Sequence, residues 1–174
     1  MLLIPGLILL SCYQSCKTDV GQGGKAIKYF DLKDYFGGES TRLTKLNPMI
    51  TKTAVNNTNT ETKNVHITNW ETELGMFTES DINKPAWRSS YNIQSTPDFL
   101  IYKAKDPALT TRDIIIKRNG AKIKWILIFN HTKNLLYETE EKLSYFPDSL
   151  YVIEKLQKVK LMGIDKYVIR GSFN

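Results

Sequence analysis

Apolar positions recur along the chain with two different periods, and the change from one to the other divides it. From Tyr29 they fall at Tyr29, Leu32, Phe36, Leu43 and Leu46. Spacings of three, four, seven and three place them on one face of a helix. Gly37-Gly38 weakens its middle, and Asn47-Pro48 ends it, because a residue before proline is pushed out of the helical region. Residues 49–67 carry few apolar groups and include the turn signal Asn56-Asn57-Thr58-Asn59, so they read as a polar, exposed hairpin. Trp70, Leu74 and Phe77 return to helical spacing. They follow Thr68-Asn69-Trp70-Glu71, where Thr and Glu stand at capping-box distance. Ser80-Asp81 is expected to cap a second turn that brings Ile82 and Trp87 inward. Pro85 lies near its start, where proline is tolerated.

From Phe99 onward the period is two. Phe99-Leu100-Ile101-Tyr102 reads as a strand. Residues 113–118 and 122–130 flank Asn119-Gly120, a strong short-range hairpin signal. A two-residue loop at Asn119-Gly120 places Ile116 opposite Ile123 and Ile114 opposite Trp125. Alternation continues that face through Leu127 and Phe129. Ile114, Ile116, Ile123, Trp125, Leu127 and Phe129 are therefore expected to share one apolar face, either buried against the helices or lining a ligand cavity. The other face mixes Lys117, Lys122 and Lys124 with Ile115, Ile126 and Ile128. Residues 131–134 turn the chain. Leu135, Tyr137, Leu143 and Tyr145 alternate on the next strand, and Phe146-Pro147-Asp148-Ser149 turns it again. Segments 151–160 and 166–173 flank Gly163, with Tyr167, Ile169 and Phe173 on one face. The fold class this predicts is α+β, with N-terminal helices packed on an antiparallel β-meander of about five or six strands.

Ahead of this domain, residues 1–11 are uncharged and almost wholly apolar, too short to span a bilayer and suited to the apolar core of a signal peptide. They end in Leu9-Leu10-Ser11-Cys12. This resembles the lipobox of bacterial lipoproteins with a type II signal peptide. The resemblance implies that the Cys12 thiol carries a diacylglycerol group and that Ser11 is the last residue removed. No Lys or Arg precedes the apolar run, so an upstream start is expected. Cys16 follows a poor lipobox and reads as a spare thiol. Residues 12–27, with Ser15, Lys17, Thr18, Gly21, Gly23 and Gly24, read as a flexible tether, which leaves 28–174 as one α+β domain. Two acyl chains suffice for stable attachment, so the expected partner is the membrane itself, reached through the lipid anchor. The whole layout is similar to that of small uncharacterised lipoproteins of the Bacteroidota.

Composition changes this picture little. The net charge of +6 favours anionic partners, but no Lys- or Arg-rich run of the nucleic-acid kind occurs, and no nucleic acid is expected. The basic cluster Lys117, Arg118, Lys122 and Lys124 reads as a solvated hairpin tip. Both cysteines precede the domain, which excludes a thiolate metal site or a disulfide framework within it. His66 and His131 are far apart, and neither has a metal-type partner at helical or strand spacing. No metal and no cofactor are expected. Glu138 and Glu140 share a strand face, expected to be the solvent face, with Glu141 on the other. A glycosidase pair needs two carboxyls across a groove. No nucleophile-elbow, zinc-protease or phosphate-loop motif occurs, so no catalytic residue is expected. Trp70, Trp87 and Trp125, with nine tyrosines, read first as core. Asp148-Ser149-Leu150 resembles the short O-glycosylation sequon of exported Bacteroidota proteins, which implies a sugar on Ser149.

These readings predict a lipid-anchored protein of the cell envelope, on the inner or outer membrane, with its domain outside the cytoplasm. The function expected is non-catalytic binding of an envelope protein, lipid or glycan. The alternatives are a periplasmic carrier or sensor of a lipid-like ligand, and a hydrolase without a recognisable motif.

Overall fold

The structure, a computed structural model, describes residues 28–174. The leader 1–11, Cys12 and the tether 12–27 lie outside the described residues. The first helix, α1 (Leu32–Leu46), buries Leu32, Phe36, Ser40 and Leu43, the face predicted from the spacing. Asp31 caps it through a 2.8 Å bond from the Asp34 amide. Asn47, in the left-handed region at φ 46°, closes it by donating its amide to the Leu43 carbonyl. Leu46, predicted on the buried face, lies in the last turn and is exposed.

Two short helices follow, α2 (Trp70–Glu73) and α3 (Gly75–Glu79). Trp70, Leu74 and Phe77 are buried as their spacing predicts. The cap is Asn69 rather than Thr68: its side chain accepts from the Thr72 amide at 3.0 Å. A 3-10 turn at Pro85–Trp87 succeeds them, with no side-chain cap. Asp81 instead accepts from the Leu32 amide, tying the segment after α3 to the start of α1.

The strands are β1 (Met49–Asn56), β2 (Asn59–His66), β3 (Tyr91–Ser95), β4 (Phe99–Ala104), β5 (Thr111–Asn119), β6 (Lys122–Lys133), β7 (Tyr137–Phe146), β8 (Leu150–Val159) and β9 (Gly163–Phe173). They form one antiparallel sheet in the order β2-β1-β9-β8-β7-β6-β5-β4-β3. The described residues are thus mainly β with a few helices, and the sheet has nine strands where five or six were expected. The polar hairpin β1–β2 supplies two, because β1 pairs along β9 from Ile50↔Phe173 to Asn56↔Tyr167. Edge strand β3 supplies another. Only Tyr91 on it is buried, so it carries almost no apolar signal.

The core lies between the helices and one face of the sheet. Two rows of side chains cross the strands there. One runs Tyr102, Ile114, Ile128, Leu143, Ile153 and Ile169; the next runs Leu100, Ile116, Ile126, Tyr145, Tyr151 and Gly171. Phe36 and Phe77 pack on each other and on Tyr145, with ring centroids 4.8, 5.1 and 5.9 Å apart. Gly171 is required here. A Cβ at this position would lie 2.2 Å from the Tyr151 ring, which occupies its space.

Two partly buried phenol–carboxylate bonds tie the helices to the sheet. Tyr145 donates to Glu39 of α1, and Tyr151 donates to Glu73 of α2. Cations complete both: Arg42 forks onto Glu39, and Lys52 of β1 reaches Glu73 at 2.7 Å. Burial raises the Glu39 carboxyl, but bonds from Arg42 and Tyr145 outweigh it and hold the group below the ordinary carboxylate range. Both tyrosine hydroxyls are pushed far up, first by burial and then by their carboxylate partners. These links fix the helices on one side of the sheet, and no described helix covers the other.

Candidate binding face

The helix-free side of the sheet carries its own ordered row: Ile101, Ile115, Leu127, Ser144, Val152 and Arg170, continued by Thr53 and Thr62. The row is apolar over β4, β5 and β6 and turns polar toward β9, β1 and β2. Trp125 and Phe99 extend the apolar end, with ring centroids 6.0 Å apart in an edge-to-face arrangement. Lys117 lies 4.7 Å over the Phe99 ring. Phe129 continues the apolar side one pair further along, between Asp113 and Lys142. These apolar side chains are partly buried, and none reaches the low exposure of the core rows. Strands apolar on both faces normally have a layer on each.

This arrangement corrects the predicted register. The six residues expected on one face are divided: Ile114, Ile116 and Ile123 pack in the core, while Trp125, Leu127 and Phe129 stand on the helix-free face. Two local features cause it. The tight loop is Gly120-Ala121, with Asn119 paired to Lys122 and Gly120 at φ 58°, rather than Asn119-Gly120. A register irregularity between Lys117 and Arg118 then leaves Lys124 as an extra residue, so Lys117 meets Trp125. Ile116 consequently faces Ile126 and not Ile123, an offset of 126 − 123 = 3 residues. An odd offset moves alternate side chains to the opposite face. The signal that both faces are apolar is in the sequence, in the unbroken runs Ile114-Ile115-Ile116 and Trp125-Ile126-Leu127-Ile128-Phe129.

Charged groups flank the apolar row. His131 pairs across the β6–β7 turn with Glu140, and its Nε2 lies 3.0 Å from Glu138. His131, Glu138 and Glu140 each place one potential metal-ligand atom within 4.8 Å of the others. Spacing along the chain gives His131 no such partner; the turn between the strands does. Glu138 is already engaged, by His131 and by Lys133 at 3.2 Å, and these bonds hold its carboxyl below the ordinary range.

On the helix side, a polar pocket of about 290 Å³ opens beside α3, lined by Ser80, Lys84, Thr111, Asn130, Glu141 and Lys155 among others. Asn130 donates to Ser80 at 2.8 Å, while its Oδ1 has no partner among the described residues. Glu141, expected opposite Glu138 and Glu140, is on this side and pairs with Lys155. Ser149 is exposed in the β7–β8 turn, beside Asp148, which pairs with Arg42 of α1. Among the described residues no helix is long and apolar enough to cross a membrane. No protein-family model matches the chain, and neither a curated protein nor a solved structure matches it.

Proposed function

We propose that the chain is an envelope lipoprotein held at the membrane by lipid on Cys12. Its domain acts as a non-catalytic binding module that presents the helix-free face of the sheet. The observation that carries the reading is the row Ile101, Ile115, Leu127 with Phe99 and Trp125, apolar, partly exposed and without a described helix over it. A contiguous apolar patch rimmed by charge marks an interaction site more often than scattered apolar residues do. The flanking Lys117, Asp113, Lys142 and Glu140 give such a patch the polar rim that specific interfaces have. Apart from Leu100 and Ile169 at their ends, the side chains of the core rows opposite are at most 4% exposed, which favours a presented surface over an internal lipid-carrying cavity. The binding needs no cofactor. Asp148-Ser149-Leu150 sits in an exposed turn, open to a sugar on Ser149.

The test is site-specific photo-crosslinking in the cell of origin. A photoreactive residue at Leu127 is expected to give a discrete adduct that disappears when Trp125→Glu is added. The same residue at Lys33, on the exposed side of α1, should give none. No adduct at Leu127, or equal adducts at both positions, would refute the assignment of the face.

A further inference from the structure

One end of the sheet carries a second surface of different character. Among the large apolar residues exposed in the described chain, Leu135, Leu136, Tyr137, Leu161, Met162 and Ile164 all fall in or beside two turns, β6–β7 and β8–β9. Leu135, Leu136, Leu161 and Met162 are 84%, 71%, 98% and 84% exposed, the four highest values in that group. The strand order makes the two turns neighbours, about 10 Å apart at the usual strand spacing. They are joined directly, because the Lys160 amide donates to the Leu136 carbonyl at 3.0 Å.

Lysines ring these tips. Lys133, Lys158 and Lys160 line the cleft of about 390 Å³ between them, and Lys166 follows on β9. Lys133 is paired with Glu138, while Lys158, Lys160 and Lys166 form no ion pair among the described residues. Aliphatic side chains on convex tips need a partner that can flow around them, which a fluid acyl layer does and a folded protein surface does only with a matching pocket. Free ammonium groups behind the tips then lie at the depth of anionic headgroups, the arrangement found in interfacial membrane-binding segments.

We infer that the paired tips Leu135-Leu136 and Leu161-Met162 insert into an anionic phospholipid bilayer, with Lys133, Lys158, Lys160 and Lys166 on its headgroups. The contact goes beyond the acyl anchor and needs no lipid on Cys12. It also leaves the helix-free face of the sheet unoccupied.

The experiment uses the full chain carrying Cys12→Ser and Cys16→Ser, made without acylation, with one cysteine introduced by Leu161→Cys and labelled with a polarity-sensitive dye. A second preparation carries the dye at Ala121→Cys, on the β5–β6 turn at the opposite end of the sheet. Vesicles of phosphatidylglycerol with phosphatidylcholine should shift the emission at position 161 to the blue and leave position 121 unchanged. Pure phosphatidylcholine should shift neither, and high salt should weaken the response. Leu136→Asp should lower the partition coefficient by at least about tenfold, since a leucine withdrawn from water is worth that much or more. Leu136 and Leu161 are exposed, so neither change disturbs the core. Equal responses at 121 and 161, no response at 161, or partition indifferent to Leu136→Asp would overturn the inference. So would a concentration-dependent dimer abolished by Leu136→Asp, which would assign the tips to a second copy of the chain. Loss of acylation leaves every one of these readings unchanged, so failure here is distinguishable from failure of the anchor.

Discussion

Phe36→Ala is expected to lower the free energy of unfolding by about 3–5 kcal/mol, the usual cost of emptying a filled aromatic site. Trp125→Ala should cost less, about 2 kcal/mol, because a partly exposed side chain with no helix packed over it loses less buried area. The contrast follows from position alone. Phe36 has no exposure, and its ring meets Phe77 and Tyr145 where α1 and α3 lie on the sheet. Trp125 is the larger residue, but it sits on the helix-free face, against Phe99 and Lys117, and keeps part of its surface in solvent. Urea unfolding followed by far-ultraviolet circular dichroism gives both values on one scale. A Trp125→Ala loss as large as that of Phe36→Ala would mean that the face is covered, and the proposed binding surface would be lost with it.

Gly171→Ala is expected to cost about 3 kcal/mol, the upper part of the usual range for overpacking. Elsewhere in a strand this change is neutral or stabilising, since alanine has less backbone entropy to lose. Here the new methyl would stand 2.2 Å from Cε1 and Cζ of Tyr151. The ring has nowhere to go. Its hydroxyl is bonded to Glu73, and its face and edges meet Trp70 and Phe173 at centroid distances of 6.2 and 6.4 Å. The cost should shrink in a Tyr151→Leu background, because the smaller side chain vacates the space. A double-mutant cycle that finds the two changes additive would contradict the packing described.

The helical part of this fold is legible in the sequence because its signals are local. The three- and four-residue spacings of Leu32, Phe36 and Leu43, and of Trp70, Leu74 and Phe77, report the buried face directly. The β-hairpins at Asn56–Asn59 and around Gly163 are also local, and the turn residues mark them. The width of the sheet is not local. Strand β1 is bound through its backbone to β9, a pairing that the side chains of a Thr- and Lys-rich strand do not announce. Strand β3 shows one buried residue in five, too few to define a period. The side of the sheet that each β6 residue faces is not local either. Alternation tells which residues share a face only when the register is known, and one extra residue at Lys124 moved Trp125, Leu127 and Phe129 to the other side. Leu135 differs from its expected place in the strand for a related reason: apolar residues at a strand end normally continue the strand, and here they project into solvent.

The proposed lipid anchor would place the binding face outside the cytoplasm, where it meets partners that a cytosolic face does not. The motif Leu9-Leu10-Ser11-Cys12 makes the claim sharp enough to test in one experiment. Cells expressing the protein are fed an alkyne-bearing fatty acid, and the purified chain is coupled to a fluorescent azide. Wild-type protein should carry the label through denaturing electrophoresis and Cys12→Ser should carry none. Equal labelling of the two, or no label on either, would contradict the account.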